Sequence, residues 1–242
     1  MSTTHNWHNR RVSNRLPSLL LFARTPQAGT VKTRLVPPLS EPDALRLYLA
    51  FLEDAAAISA APGRWQCVLE AEPDPDDPAL AAIFPDPWRR RKQAPGNLGE
   101  RLGAAFEREF SAGAPAAVAV GSDHPAMERR LLEEAFARLA LGREAVIIPA
   151  EDGGYCAIGL ASSVPVREVF LEIPWSTPFV LSATRKRLAA LGLQEAVLEP
   201  AYDVDRPEDL DRLRHDLARR DPSGRDYPRA TARLLGTLAG AS

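Results

Sequence analysis

The chain has 242 residues, with 30 lysines and arginines against 32 aspartates and glutamates and a formal charge of −2 at pH 7. A core of that size buries roughly three quarters of the unfolded surface without a disulfide or metal staple. The near balance of charge provides no overall field to attract nucleic acid or a membrane surface. The two cysteines, Cys67 in QCVLEA and Cys156 in GYCAIGL, sit in apolar contexts, so buried free thiols in a reducing compartment are expected. No apolar run approaches the roughly 18 residues of a spanning helix, and MSTTHNWHNRRVSNR lacks a signal-type core. The expectation is a cytoplasmic protein that does not insert into membranes. Residues 1–16 read as a flexible arm, in which His5 and His8 lack an acidic or thiol partner for a metal.

From Leu19 short apolar runs alternate with longer amphipathic ones, the signature of a mostly parallel sheet covered by helices. LLLFAR predicts the first strand. EPDALRLYLAFLEDAAAISA predicts a helix, with Leu45, Tyr48, Leu49 and Leu52 at helical spacing and Pro42 in its first turn. WQCVLEA reads as a strand, PDPDDP as a loop, WRRRKQ as a short strand and NLGERLGAAFEREF as a helix. The run Ala116 to Val120 is a buried strand, followed by the helix AMERRLLEEAFARLA. EAVIIPA and GGYCAIGL are further strands, TPFVLSATRKRLAAL is a helix, and AYDVD is a last short strand before the helix RPEDLDRLRHDLARR. One α/β domain over 17–220 results, with 221–242 as a tail or helix.

Ligands of such sheets bind beyond the carboxyl ends of the strands, which selects five segments. In PQAGTVKTRL, Gly29 permits close backbone approach, while Lys32 and Arg34 can set a point charge and a forked donor beside phosphate oxygens. Neither the Walker pattern nor G-x-G-x-x-G is present, and a solvated basic turn is the plainer alternative. In VAVGSDHP, Asp123 can hold Mg²⁺ or Mn²⁺ against phosphate oxygens, or it can cap a helix starting near Pro125. His124 can be a ligand too, although a lone histidine after the carboxylate more often packs or supports the ligand beside it. PAEDGGYCAIGL places Glu151 and Asp152 beside Gly153 and Gly154. Either acid can bind acceptor hydroxyls or act as a base, and the glycines suit a substrate approaching the backbone; the plainer alternative is a glycine turn with solvated acids.

In YDVDRPEDL, Asp203 and Asp205 alternate around Val204, so one is a conceivable second metal carboxylate, although Asp205 with Glu208 also makes a capping-box-like pattern. KQAPGNLGERL ends a strand at Gln93 and opens a helix near Asn97, whose amides suit a base or phosphate. Trp175 in IPWST can stack on a sugar or base or can be packed, and Ser176 and Thr177 read as a helix cap. WRRRKQ and ATRKRL lack interleaved aromatics, so solvated faces explain them and nucleic acid is not expected.

In order along about Leu19 to Leu213, FARTPQAGTVKTRL, QAPGNLGERL, GSDHPAM, PAEDGGYCAIGL, IPWST and YDVDRPEDL resemble a glycosyltransferase-A-type family. That family was once catalogued as a domain of unknown function and is now often labelled arsenosugar-biosynthesis glycosyltransferase. More distantly the pattern is similar to molybdenum-cofactor and 2-phospholactate guanylyltransferases, which share the nucleotide-diphospho-sugar transferase fold. The resemblance implies a GT-A-like single domain that binds a nucleotide sugar, or a nucleoside triphosphate, together with a small-molecule acceptor. It implies that Lys32 and Arg34 face the phosphates, that Gln93 and Gly96 lie near the base, and that Asp123 is the principal metal ligand with Asp203 or Asp205 as the second. It further implies that Glu151 to Tyr155, with Trp175, line the acceptor or sugar pocket. GSDHP departs from a strict D-x-D because Gly121 stands where the first acid would be.

Overall fold

The computed structural model describes residues 15–239; His5, His8 and most of the expected N-terminal arm lie outside the described residues. Seven strands form one sheet: β1 (Ser18–Arg24), β2 (Gln66–Glu72), β3 (Arg89–Lys92), β4 (Ala116–Gly121), β5 (Ala145–Pro149), β6 (Tyr155–Ala161) and β7 (Glu195–Val197), in the order β3-β2-β1-β4-β6-β5-β7. β1 pairs in parallel with β2 and β4, β2 with β3, and β5 with β7. β6 runs antiparallel to both β4 and β5. The mostly parallel α/β domain expected from the sequence is therefore present.

Eight helices cover it: α1 (Glu41–Ser59), α2 (Pro78–Ile83), α3 (Leu98–Ser111), α4 (Arg129–Ala140), α5 (Val166–Val169), α6 (Val180–Ala190), α7 (Pro207–Arg219) and α8 (Arg229–Ala239), counted among the described residues. Alternation along each strand sorts side chains between two cores. From β1, Leu19, Leu21 and Ala23 meet Leu52 of α1 and Leu132 and Phe136 of α4. Leu20 faces Leu102, Ala105 and Phe106 of α3, Val169 of α5 and Leu188 of α6. The outer face of α1, through Leu47 and Phe51, joins a third cluster with Leu210, Leu213 and Leu217 of α7 and Leu235 of α8. That double burial is why α1 is apolar on more than one stripe.

Two expectations need correction. AYDVD is not a strand: only Ala201 bridges the sheet, through Ala150, and the last strand is β7. The alternation in AYDVD has another cause, because Val204 is fully buried in the third cluster and its amide donates to Asp123 O at 2.9 Å. PDPDDP is a loop as far as Asp77, as expected, and the helix α2 follows it at once: Asp77 accepts from Ala79 and Leu80 amides and Pro78 occupies the first turn. The arginines of β3 are not a solvated face either. Arg89 and Arg91 reach Glu109 of α3 at 2.6 and 3.2 Å, and Arg90 donates to Phe84 O at 2.9 Å.

The C-terminal segment is helical and belongs to the domain. Asp54 of α1, itself buried, accepts from the amides of Ala230 and Thr231 at 3.0 and 2.8 Å in the first turn of α8. Asp54→Ala should leave both amides unpartnered and cost about 1–3 kcal/mol, with α8 exchanging first; urea unfolding and amide hydrogen exchange at residues 229–239 measure this.

Candidate functional site

From β1 the chain winds outward to β3 and returns to place β4 on the other side of β1, so the strand order reverses between β1 and β4. Such a reversal opens a crevice beyond the carboxyl ends of the two strands. A cleft of about 410 Å³ lies there, with Arg24, Lys32, Arg34 and Arg101 as its cations and Glu72, Asp123 and Asp205 as its acids. Tyr48 of α1 joins the two strand ends: its hydroxyl accepts from the Arg24 amide at 2.8 Å and lies 3.3 Å from Ser122 Oγ. Burial, and next the charge of Asp123, hold this phenol well above its ordinary range.

Lys32 is unlike an ordinary loop lysine. Its backbone is left-handed (φ 50°) and its side chain is 3 % exposed, with Nζ 2.7 Å from Asp123 Oδ1, donating to Val204 O at 2.7 Å and lying 5.4 Å from the Phe51 ring centroid. One ammonium thus ties the loop after β1, the loop after β4 and the 203–205 segment together. Asp123 is not a helix cap, because α4 begins at Arg129; its carboxylate faces Lys32 and remains 44 % exposed on the cleft wall. Arg34 pairs with Asp205 at 2.5 Å with its side chain 66 % exposed. Asp205 does not cap α7, a role taken by Asp209, which accepts from the Asp205 and Arg206 amides.

His124 occupies the space that a side chain at 121 would need: a Cβ on Gly121 would lie 2.9 Å from His124 Nε2. Its Nδ1 is 3.3 Å from Tyr202 O, and burial pulls the imidazole below its ordinary range, toward the neutral form, against the charges of Asp123 and Asp203. Asp203 is half-buried; burial raises its carboxyl, His124 opposes this, and Asp152 and Asp205 add to the rise. Among the described residues, no three His, Cys, Asp or Glu side chains converge as a ready-made metal site.

Several of the expected residues are also engaged by the protein itself, Gln93 among them while it lines the cleft. Gln93 is buried and spends its amide nitrogen on Ala23 O and Glu70 O, at 3.1 and 2.8 Å, which leaves Oε1 beside Arg101. Gly96 (φ 106°) is demanded by the capping box of α3, since a Cβ would lie 2.1 Å from Glu100 Oε2. Gly29 (φ 75°) packs beside Glu41. Gly153 (φ 90°) serves a backbone approach, but the partner is Pro178: a Cβ there would lie 2.2 Å from Pro178 O, and Gly153 O accepts from Leu181 N. Asp152 accepts from the Gly154 amide at 2.9 Å. Glu151 is held in a two-pronged contact by Arg212 of α7, whose guanidinium lies 3.9 Å from the Tyr202 ring centroid.

Trp175 is packed over Gly99 of α3, with Tyr155 edge-on at 6.4 Å and Phe170 at 6.2 Å, and it is not among the residues that line the cleft. Ser176 caps nothing; Thr177 Oγ1 accepts from Phe179 N ahead of α6. Among the cleft's cations, sequence reasoning did not single out Arg24 and Arg101. Their signal was position, at the end of the first strand and in the first turn of the helix after the third.

Three substitutions test these assignments. Lys32→Met should cost about 1–3 kcal/mol by orphaning Val204 O and Asp123, whereas Arg34→Met, which breaks an exposed pair, should cost under about 1 kcal/mol. Gly153→Ala should destabilise by about 1–3 kcal/mol through strain against Pro178; denaturant midpoints of the three variants rank them.

The family model described as "Uncharacterized protein conserved in bacteria (DUF2064)" matches residues 56–177. No curated protein matches the chain. Among solved structures, a "putative nucleotide-diphospho-sugar transferase" from Desulfovibrio desulfuricans G20 superposes with a TM-score of 0.83 at 27% identity, over 93% of this chain and 95% of that one. A cytidylyltransferase from Leptospira borgpetersenii serovar Hardjo-bovis (strain JB197) gives a TM-score of 0.58 at 10% identity, over 94% and 95%. A CMP:2-keto-3-deoxy-manno-octonic acid synthetase complexed with CTP gives 0.50 at 14%, over 84% and 99%. The two last share the fold with this chain. With the family model spanning half of its length and its sheet superposing on these transferases, the chain belongs to the bacterial DUF2064 family and has the nucleotide-diphospho-sugar transferase fold.

Proposed function

We propose that the protein is a transferase that takes a nucleotide sugar as donor and passes the glycosyl group to a small acceptor. The observation that carries this reading is the cleft at the β1/β4 switch point, where four cations meet two strand ends. Arg34, whose pair with Asp205 is exposed and therefore weak, swings to the diphosphate with little loss. Arg24 and Arg101 add charge from the cleft wall, and Lys32 lends its field from within the frame. These cations oppose the negative charge that develops on the leaving diphosphate.

Asp152 is the carboxylate left to orient an acceptor hydroxyl and take its proton. Hydrogen bonding to Arg212 holds Glu151 below its ordinary range, so Glu151 is a poor base and positions the 151–154 turn instead. A divalent cation, Mg²⁺ or Mn²⁺, fits beside Asp123 and Asp203. The crowded Asp203 carboxyl gains from a neighbouring positive charge, and Mg²⁺ commonly takes one or two carboxylates and completes its shell with phosphate oxygens and water. When bound, it would neutralise charge on the diphosphate. Asp205, which loses its partner when Arg34 turns to the phosphates, is the alternative second carboxylate.

A second reading, nucleotidyl transfer with pyrophosphate leaving, is favoured by the same count of cations, which exceeds what a diphosphate needs. Purified protein with Mg²⁺ should be offered a panel of nucleotide sugars and nucleoside triphosphates. Release of nucleoside diphosphate from one nucleotide sugar supports glycosyl transfer; release of pyrophosphate from a triphosphate replaces it with the second reading. Asp123→Asn should lower kcat/KM by about 100-fold or more, and Arg101→Ala should weaken nucleotide binding measured by calorimetry.

A further inference from the structure

Next to the charged cleft the structure holds a separate recess of about 110 Å³ between α3 and the carboxyl ends of β1 and β4, walled by Phe22, Leu98, Leu102, Ala119, Ile158 and the Tyr155 ring. It exists because small residues, Ala119, Gly121 and Ala157, line it where β4 meets β6. Protein interiors are otherwise close-packed, and a single larger side chain at any of these positions would close such a gap. Leu98 gives an independent sign. It sits in the first turn of α3, 44 % exposed, on the wall of a cleft otherwise rich in charge. Phe22 and Leu98 line both spaces, so the recess adjoins the cleft. His124 also lines it, and its sequence neighbour Asp123 lines the adjoining cleft.

We propose that this recess receives a short alkyl group of the acceptor, so that the acceptor is a small hydroxy compound with one polar and one apolar end. The proposal rests on the transferase reading above. In the transfer the acceptor hydroxyl oxygen bonds to the anomeric carbon, the bond from that carbon to the diphosphate breaks with its electron pair leaving on phosphate, and the hydroxyl proton passes to Asp152. Meanwhile the alkyl end is held by contact with Phe22, Leu98, Leu102 and Ile158. Size limits the group: a cavity of roughly 150 Å³ takes benzene, so this recess of about 110 Å³ suits a smaller group, about the bulk of isobutyl.

The test is a titration of the full chain, carrying ¹³C-methyl labels on leucine and isoleucine, with ethanol, 1-propanol, isobutanol and 1-hexanol. The methyl signals of Leu98, Leu102 and Ile158 should move together, with affinity rising about fourfold for each added methylene up to isobutanol and then falling at 1-hexanol. Ala119→Val, which fills the recess, and Leu98→Asn, which alters only an exposed position, should each weaken isobutanol several-fold while the methyl spectrum elsewhere stays native. Methyls that do not respond, an affinity that climbs through 1-hexanol without a break, or variants that bind isobutanol unchanged overturn the proposal. The nucleotide panel reports separately. If no nucleotide binds while the recess methyls respond as described, the transferase reading fails and the alkyl site stands; if nucleotide binds and the methyls are silent, the alkyl site alone is lost.

Discussion

The Lys32 ammonium, withdrawn from water between Asp123, Val204 O and the Phe51 ring, is the interaction on which the carboxyl edge of this sheet depends. A buried cation survives only where it is paired and hydrogen-bonded, and here its partners come from two loops far apart in sequence. The demand therefore runs both ways. Lys32 requires Asp123 and Val204 O to be in place, and they in turn fix the loop after β4 and the path of 201–206. The left-handed backbone at Lys32 is a strain that this set of contacts offsets.

Exposure separates two basic residues that look equivalent in sequence. Lys32 and Arg34 are two positions apart and each pairs with an aspartate, but their side chains are 3 % and 66 % exposed. An exposed pair contributes little to stability and exchanges partners readily, whereas a buried one resists being broken. Under the proposed reading, then, Arg34 is the group free to follow phosphate, and Lys32 is the frame against which it moves. A similar division holds for the acids after β5: Glu151 is engaged by Arg212, and Asp152 is tied only to its own turn.

Much of the fold was legible because the central strands are continuous apolar runs and the long helices show helical spacing. The direction of β6 was not written in its side chains, yet a signal existed. β5 ends at Pro149 and β6 begins at Tyr155, too short a link for the crossover of a dozen or more residues that parallel neighbours need. β7 escaped notice because a three-residue edge strand, Glu195–Val197, carries almost no pattern. AYDVD imitated a strand because one buried valine in a polar segment produces the same alternation. Position along the sheet edge was the readable part of the site. What each side chain does with its hydrogen bonds was not, because it depends on distant partners: Val204 for Lys32, Pro178 for Gly153, Glu70 O for Gln93.

The glycines make the same point from the side of space rather than charge. Gly96, Gly121 and Gly153 all lie near the ligand edge, where glycine invites the inference that a ligand approaches the backbone. Each is instead explained by the protein itself, through Glu100, His124 and Pro178 in turn. At 121 the consequence reaches the chemistry. The volume that a first acid would fill in a D-x-D arrangement belongs to the His124 ring, so an acid introduced there must first displace a part-buried imidazole. The negative charge at the end of β4 is thereby limited to Asp123, one carboxylate facing one buried ammonium. The cleft's other acids, Glu72 and Asp205, leave its four cations one in excess, and under the proposed reading the phosphates of a nucleotide complete that balance.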